Sequence, residues 1–181
     1  MRLRFVLALF LLTAGAAYAA AQANSQMPEI KVRRLSPRAA IVDLDPSGFS
    51  TAVVAVATKQ GLVVIEAPGN LNVGKAIREA IQTEFKRSDF AWLLYTHQHH
   101  TGGAAAFADV PAVGQEWVRK LLVAAGRTAP DVTFDRQMTL YLGDVTARLV
   151  YYGQSHTPGC AASWMTPTVA PSSFPVTGSR R

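Results

Sequence analysis

Two apolar runs, residues 51–58 (TAVVAVAT) and 62–66 (LVVIE), flank Lys59-Gln60-Gly61. Their length, valine content and central glycine predict a buried β-hairpin rather than a helix. Ahead of them, residues 30–44 mix β-branched side chains with charges, the pattern of an edge strand or hairpin. Ala67-Pro68-Gly69-Asn70 breaks the chain after the second run. Val73, Ile77, Ala80, Ile81 and Phe85 then recur at helical spacing among Lys75, Arg78, Glu79 and Glu84, which predicts an amphipathic helix with one face on a sheet. Residues 90–95 (FAWLLY) return as a buried strand. A second helix is expected over residues 115–125, with Trp117, Val118, Leu121 and Leu122 on its apolar side. Residues 138–142 and 145–152, joined at Gly143-Asp144, read as another hairpin. Strands, helix, strand, helix and strands in this order predict an α/β layered domain, and no internal repeat is visible.

The two ends differ from this pattern. Arg2 and Arg4 precede an apolar run over residues 5–12, and Ala17-Tyr18-Ala19 supplies small residues at a cleavage spacing. Residues 1–19 therefore read as a secretory signal peptide, with an apolar stretch too short to remain as a membrane anchor. Periplasmic or secreted localisation is the expectation. Residues 20–39 read as a lead-in, 40–167 as the domain, and 168–181 as an irregular, proline-containing tail. Of 18 basic and 12 acidic residues, two of the basic ones fall in the signal. The remaining basic doublets, Arg33-Arg34 and Arg180-Arg181, form no patch of the kind that binds nucleic acid. Cys160 is the sole cysteine, so no intramolecular disulfide can form.

Candidate chemistry is concentrated in the four histidines. His97, His99 and His100 follow the strand at 90–95, and His156 follows the last hairpin. Each group lies next to glycine in a loop at a strand end, where side chains are presented to a cleft. His97 and His99 are two apart, so an extended chain would turn both rings to one side. Zinc takes nitrogen ligands at about 2.0–2.1 Å in a tetrahedron, and a histidine from a distant loop can complete three legs. The fourth position would hold water, activated near neutral pH.

The segment 92–103, WLLYTHQHHTGG, resembles the metallo-β-lactamase motif T-H-x-H-x-D-H-x-G-G, and 153–159, GQSHTPG, is similar to that superfamily's second motif, G-x-x-H-T-x-G. Residues 62–69, LVVIEAPG, look like its usual opening. The resemblance spans about residues 40–167. It implies an αββα sandwich, two facing sheets with helices outside and metals at one rim, and here a second half that is incomplete. It also implies that His97, His99 and His156 hold the first Zn2+, with His100 matching the motif's later histidine.

The match has gaps. Two residues are missing between His99 and His100, among them the aspartate that in the family binds the second metal. A gapless reading would instead put Tyr95 in place of the first histidine and His99 in place of the aspartate. Glu66 and Asp109 are candidates to replace the lost carboxylate, although a solvated or capping role is the plainer reading of both. Cys160 reads as a small residue entering a strand, with a ligand role as the alternative. After residue 167 no further aspartate or histidine follows, so one zinc ion is expected. The resemblance implies a zinc-dependent hydrolase acting on a lactam, lactone, thioester or similar bond of a small molecule. The competing expectation is an inactive, shortened relic with weak or no zinc binding, in which the hairpin at 138–152 exposes an apolar face.

Overall fold

The structure is a computed structural model that describes residues 27–44, 52–155 and 157–168. The segment read as a signal peptide, His156 and the tail from residue 169 lie outside the described residues. Seven strands form the larger sheet in sequence order: β1 (Lys31–Ser36), β2 (Ala39–Asp43), β3 (Ala52–Thr58), β4 (Gly61–Ile65), β5 (Phe90–Tyr95), β6 (Ala112–Gln115) and β7 (Val132–Phe134). β1 to β4 are antiparallel, and from β4 onward the pairings are parallel. The first parallel crossover is α1 (Leu71–Phe85), and α2 (Glu116–Ala124) joins β6 to β7. β8 (Gln137–Tyr141), β9 (Val145–Tyr151) and β10 (Ala161–Pro167) form a separate antiparallel sheet with β9 in the centre.

Strand alternation sends neighbouring residues to opposite faces, and the two cores follow from it. Leu62, Val64, Leu93, Tyr95 and Ala112 pack with Val73, Ile77 and Ile81 of α1 and Val118 and Leu122 of α2. Val63, Leu94 and Val113 point the other way, onto Leu142, Val145, Ala147 and Leu149 of the smaller sheet. Asn70 starts α1 by accepting from the backbone N–H groups of Asn72 and Val73 at 2.9 and 3.1 Å, an N-cap interaction that satisfies otherwise orphaned donors. The layers are thus helices, large sheet and small sheet. Among the described residues no helix covers the outer face of the small sheet, and none is long and apolar enough to cross a membrane.

Three expectations bear on these elements. The hairpin at 138–152 does not expose its aliphatic face, because Leu142, Val145, Ala147 and Leu149 are buried against the large sheet. Its exposed large side chains are Tyr141 and Tyr152, joined by Trp164 on the neighbouring strand β10, so the apolar face is exposed only in part. Trp117 is not on the buried side of α2 but half exposed, with the Lys120 ammonium 4.6 Å from its ring centre. The sheet begins at Lys31, so the edge strand or hairpin read at 30–44 overlaps the stretch 20–39 read as a lead-in.

Candidate metal centre

The site is assembled at the carboxyl ends of two adjacent parallel strands. Ile65 of β4 pairs with Leu94 of β5, so the residues that leave the two strands, Glu66 and Thr96-His97, emerge side by side. Open α/β sheets present ligand sites at this edge. Glu66 N donates to Leu94 O at 3.0 Å, Ala67 N to His100 O at 2.9 Å, and Gly103 N to Ala67 O at 2.7 Å. The loop after β4 and the histidine loop are therefore joined through their backbones. The approach is close enough to require glycine. A Cβ on Gly102 would overlap Gly69 O, and one on Gly103 would lie 2.6 Å from Pro68 O.

The histidine loop does not continue as an extended strand. His97 is extended, and Gln98–Thr101 form a short 3₁₀ segment kinked at His100, whose φ of −97° and ψ of 43° are not helical. The His97 and His100 rings lie 4.3 Å apart centre to centre, against 5.5 Å for His97 and His99. His99 is exposed, with Nε2 3.4 Å from Gln98 Nε2. Among the described residues, the ligand atoms that come together, all within 4.8 Å of one another, belong to Glu66, His97 and His100. Glu66, read from sequence as solvated or capping, is instead buried at this rim. Asp109 lies elsewhere, bound by both terminal nitrogens of Arg78.

Thr96 organises the cluster. Its backbone N–H donates to Glu66 Oε1 at 2.7 Å, and its hydroxyl donates to the same oxygen. Thr96 Oγ1 is also 3.1 Å from His97 Nδ1. A hydroxyl has one proton, so while it donates to ionised Glu66 it can only accept from His97. This hydrogen-bond logic assigns the proton of His97 to Nδ1 and its lone pair to Nε2, the arrangement suited to binding a metal. Arg127 braces the turn, donating to Thr101 Oγ1 at 3.0 Å and Gln98 O at 3.3 Å.

Glu66 Oε2 is the test of whether a cation fits. It is buried, 3.0 Å from His100 Nδ1, yet it lacks a properly aligned hydrogen bond among the described residues. The distance permits an ion pair, but the alignment does not make it a hydrogen bond. Burial pushes the Glu66 carboxyl up to about 7, with the Thr96 donors and the His97 backbone N–H pulling in the opposite direction. A buried carboxylate oxygen beside two imidazoles is a donor set that suits a divalent cation.

The second motif approaches the same rim. Ala161 N, at the start of β10, donates to Thr96 O at 2.8 Å. Thr157 is buried, and Gly159 packs so tightly on α2 that a Cβ there would lie 2.7 Å from Val118 Cγ2. Cys160 Sγ is 2.9 Å from Thr157 Oγ1. Both flanks of His156 are thus described, while His156 itself is not. Sequence reasoning offers Glu66 as a candidate replacement carboxylate but prefers a solvated or capping reading, and the structure gathers it with His97 and His100. The available signal was that Glu66 and the Thr96-His97 pair each directly follow an apolar strand on either side of one predicted helix.

No family model matches the chain, and no curated protein sequence matches it. Solved structures do. A metallo-β-lactamase from Pontibacter korlensis superimposes with a TM-score of 0.66 at 23% identity, over 76% of this chain and 67% of that one. A Cronobacter sakazakii metallo-β-lactamase gives a TM-score of 0.64 at 18% identity, over 76% of this chain and 60% of that one. The DIM-1 metallo-β-lactamase gives a TM-score of 0.64 at 17% identity, with coverages of 76% and 65%. The chain has the metallo-β-lactamase fold. It spans about two thirds or less of the length of these structures, and its second sheet has three strands among the described residues.

Proposed function

We propose that the chain is a zinc-dependent hydrolase that opens a lactam, lactone, thioester or similar bond in a small molecule, and that it is exported. The observation that carries this reading is the convergence of His97, His100 and the buried Glu66 at the carboxyl rim of β4 and β5 in a metallo-β-lactamase fold. The ligands expected from the motifs are His97, His99 and His156, and the gathering of His97 and His100 with Glu66 supports a metal site at this rim. The names of the similar structures, all metallo-β-lactamases, support bond hydrolysis as the class of reaction.

A bound divalent ion would supply Lewis acidity, polarising a carbonyl and acidifying water. The chain's own residues prepare the site for it. Thr96 fixes the His97 ring and its tautomer. Arg127 and Thr101 hold the turn that carries His99 and His100. Glu66 is sealed from solvent, whereas the His100 side chain is 37% exposed, which marks the side from which a small molecule reaches the cluster.

The test is zinc stoichiometry and turnover on the purified mature chain. One tight zinc ion per chain is expected, with hydrolysis of a lactam, lactone and thioester panel that chelation abolishes and zinc restores. Replacing His97 or His156 by alanine should remove both metal and turnover. A folded chain with no tight zinc and no turnover above the His97→Ala control would overturn the reading in favour of an inactive protein. Export, argued from Arg2, Arg4 and Ala17-Tyr18-Ala19, predicts a mature start near Ala20 or Gln22 by mass spectrometry. Intact Met1 on the soluble product would contradict it.

A further inference from the structure

The three-histidine set expected from the motifs contains no carboxylate, yet a carboxylate is the most deeply buried of the gathered groups. Glu66 leaves β4 with φ 75°, a left-handed conformation that residues with a Cβ seldom adopt and that tends to persist where the surroundings demand it. Oε1 is saturated by the two Thr96 donors. Oε2 faces His100 Nδ1 at 3.0 Å, an ion-pair distance without an aligned hydrogen bond, and the His97 backbone N–H also donates to the carboxylate. A buried carboxylate oxygen without an aligned donor, its ligand atom within 4.8 Å of those of His97 and His100, is well placed for a stronger partner.

A purely structural role explains this poorly. The loops carrying Glu66 and His100 are already joined by the hydrogen bonds of Ala67 N to His100 O and Gly103 N to Ala67 O. The side-chain pair is not needed to hold them together. What the pair adds is one anionic oxygen directed at two imidazoles, with the other oxygen held by a neighbour, as metal-binding carboxylates usually are.

We propose that Glu66 is itself a metal ligand through Oε2, forming with His97 and His100 a two-histidine, one-carboxylate site for a divalent first-row transition ion. This rests on the metal-dependent reading above and changes its ligand set. Glu66 brings a negative charge that three neutral imidazoles lack. His100 becomes a ligand because its ring lies 4.3 Å from that of His97, centre to centre. The nitrogen and oxygen donors suit zinc, cobalt, manganese or iron(II) better than a hard cation that takes only oxygen.

The experiment uses the full mature chain, stripped with a chelator and titrated with Zn2+ and with Co2+ against a competing chelator. Glu66→Gln keeps nearly the same shape and removes the charge. It should weaken both ions by on the order of 100-fold or more and alter the cobalt absorption spectrum, while the metal-free chain keeps its fold. Glu66→Asp keeps the charge but withdraws it by one methylene, and should also change the spectrum. It decides the matter if the glutamine variant fails to fold. The Glu66→Gln/His100→Ala pair separates a ligand from a residue that merely holds His100. A ligand makes the double variant weaker than His100→Ala, whereas a holding role adds nothing. Wild-type affinity and spectrum in the Glu66 variants, or a double variant equal to His100→Ala, would overturn the proposal. If His97→Ala still abolishes binding in that case, the metal-dependent reading survives without Glu66. No tight ion in the wild-type chain would overturn both.

Discussion

The rim of the large sheet and the outer face of the small sheet show opposite solutions to the same problem of what to do at a sheet boundary. At the rim, polar groups are buried and tied down. Glu66 is 5% exposed, Thr96 links it to His97, and glycines let three backbone segments touch. On the outer face and its margin, large aromatics are left in solvent, with Tyr141 73%, Tyr152 77% and Trp164 47% exposed. Tyr152 and Trp164 meet edge to face at 6.0 Å, a contact worth little while both rings remain wet. Burial of polar groups is expensive and is kept where chemistry repays it. Exposure of aromatics is cheap for one chain. The contrast is between a boundary fastened by buried hydrogen bonds and one left to solvent.

The comparison can be broken most severely at the core that supports the rim. Ile77 is wholly buried beneath the large sheet, so Ile77→Ala should cost about 2–5 kcal/mol, read as a lowered denaturation midpoint in urea. If that variant were as stable as the parent, the assigned core would be wrong. The next effect is local. Thr96→Val keeps the shape but deletes the hydroxyl that joins Glu66 to His97. Metal affinity should fall roughly 10–100-fold with little change in the metal-free melt. A drop in stability without a drop in affinity would make Thr96 a folding residue only. On the outer face, Trp164→Thr should shift stability by no more than about 0.5 kcal/mol and reduce binding of a hydrophobic dye. A loss comparable to that of Ile77→Ala would show that the face is covered after all.

The smallest expected effect concerns acid. Arg78 holds the Asp109 carboxyl below its usual range, chiefly by hydrogen bonding, and Arg87 does the same to Asp89. A depressed carboxylate stabilises the fold above the unfolded value, near 3.9, and loses that contribution as pH falls through the folded value. The gap in melting temperature between wild type and Asp109→Asn should therefore be small at neutral pH and close as the solution is taken well below about pH 4. A gap that widens on acidification would refute the assignment. Both carboxylates are largely exposed, so added salt should narrow the gap as well.

Local periodicity made the larger elements legible. The 3.6-residue spacing of Val73, Ile77 and Ile81 specifies α1, and the valine-rich runs around Gly61 specify β3 and β4. β6, with four residues, and β7, with three, are too short to show a period, and only their neighbours in the sheet define them. Trp117 was misassigned because a helix pattern records spacing, not where the packed face ends.

The sequence by itself determined that three histidines cluster after a buried strand, that a fourth stands in a second glycine-flanked loop, and that the chemistry to expect is metal binding. Residue type and local spacing are enough for that. Which side chains share one point in space was decided by tertiary structure alone. Glu66 reaches the histidines because β4 and β5 are parallel neighbours, in a register that sets residue 66 beside residue 96. His100 rather than His99 lies nearest His97 because the loop kinks at His100, under the glycine contacts and the Arg127 brace. Both outcomes depend on contacts between residues some thirty positions apart, and no local pattern encodes them.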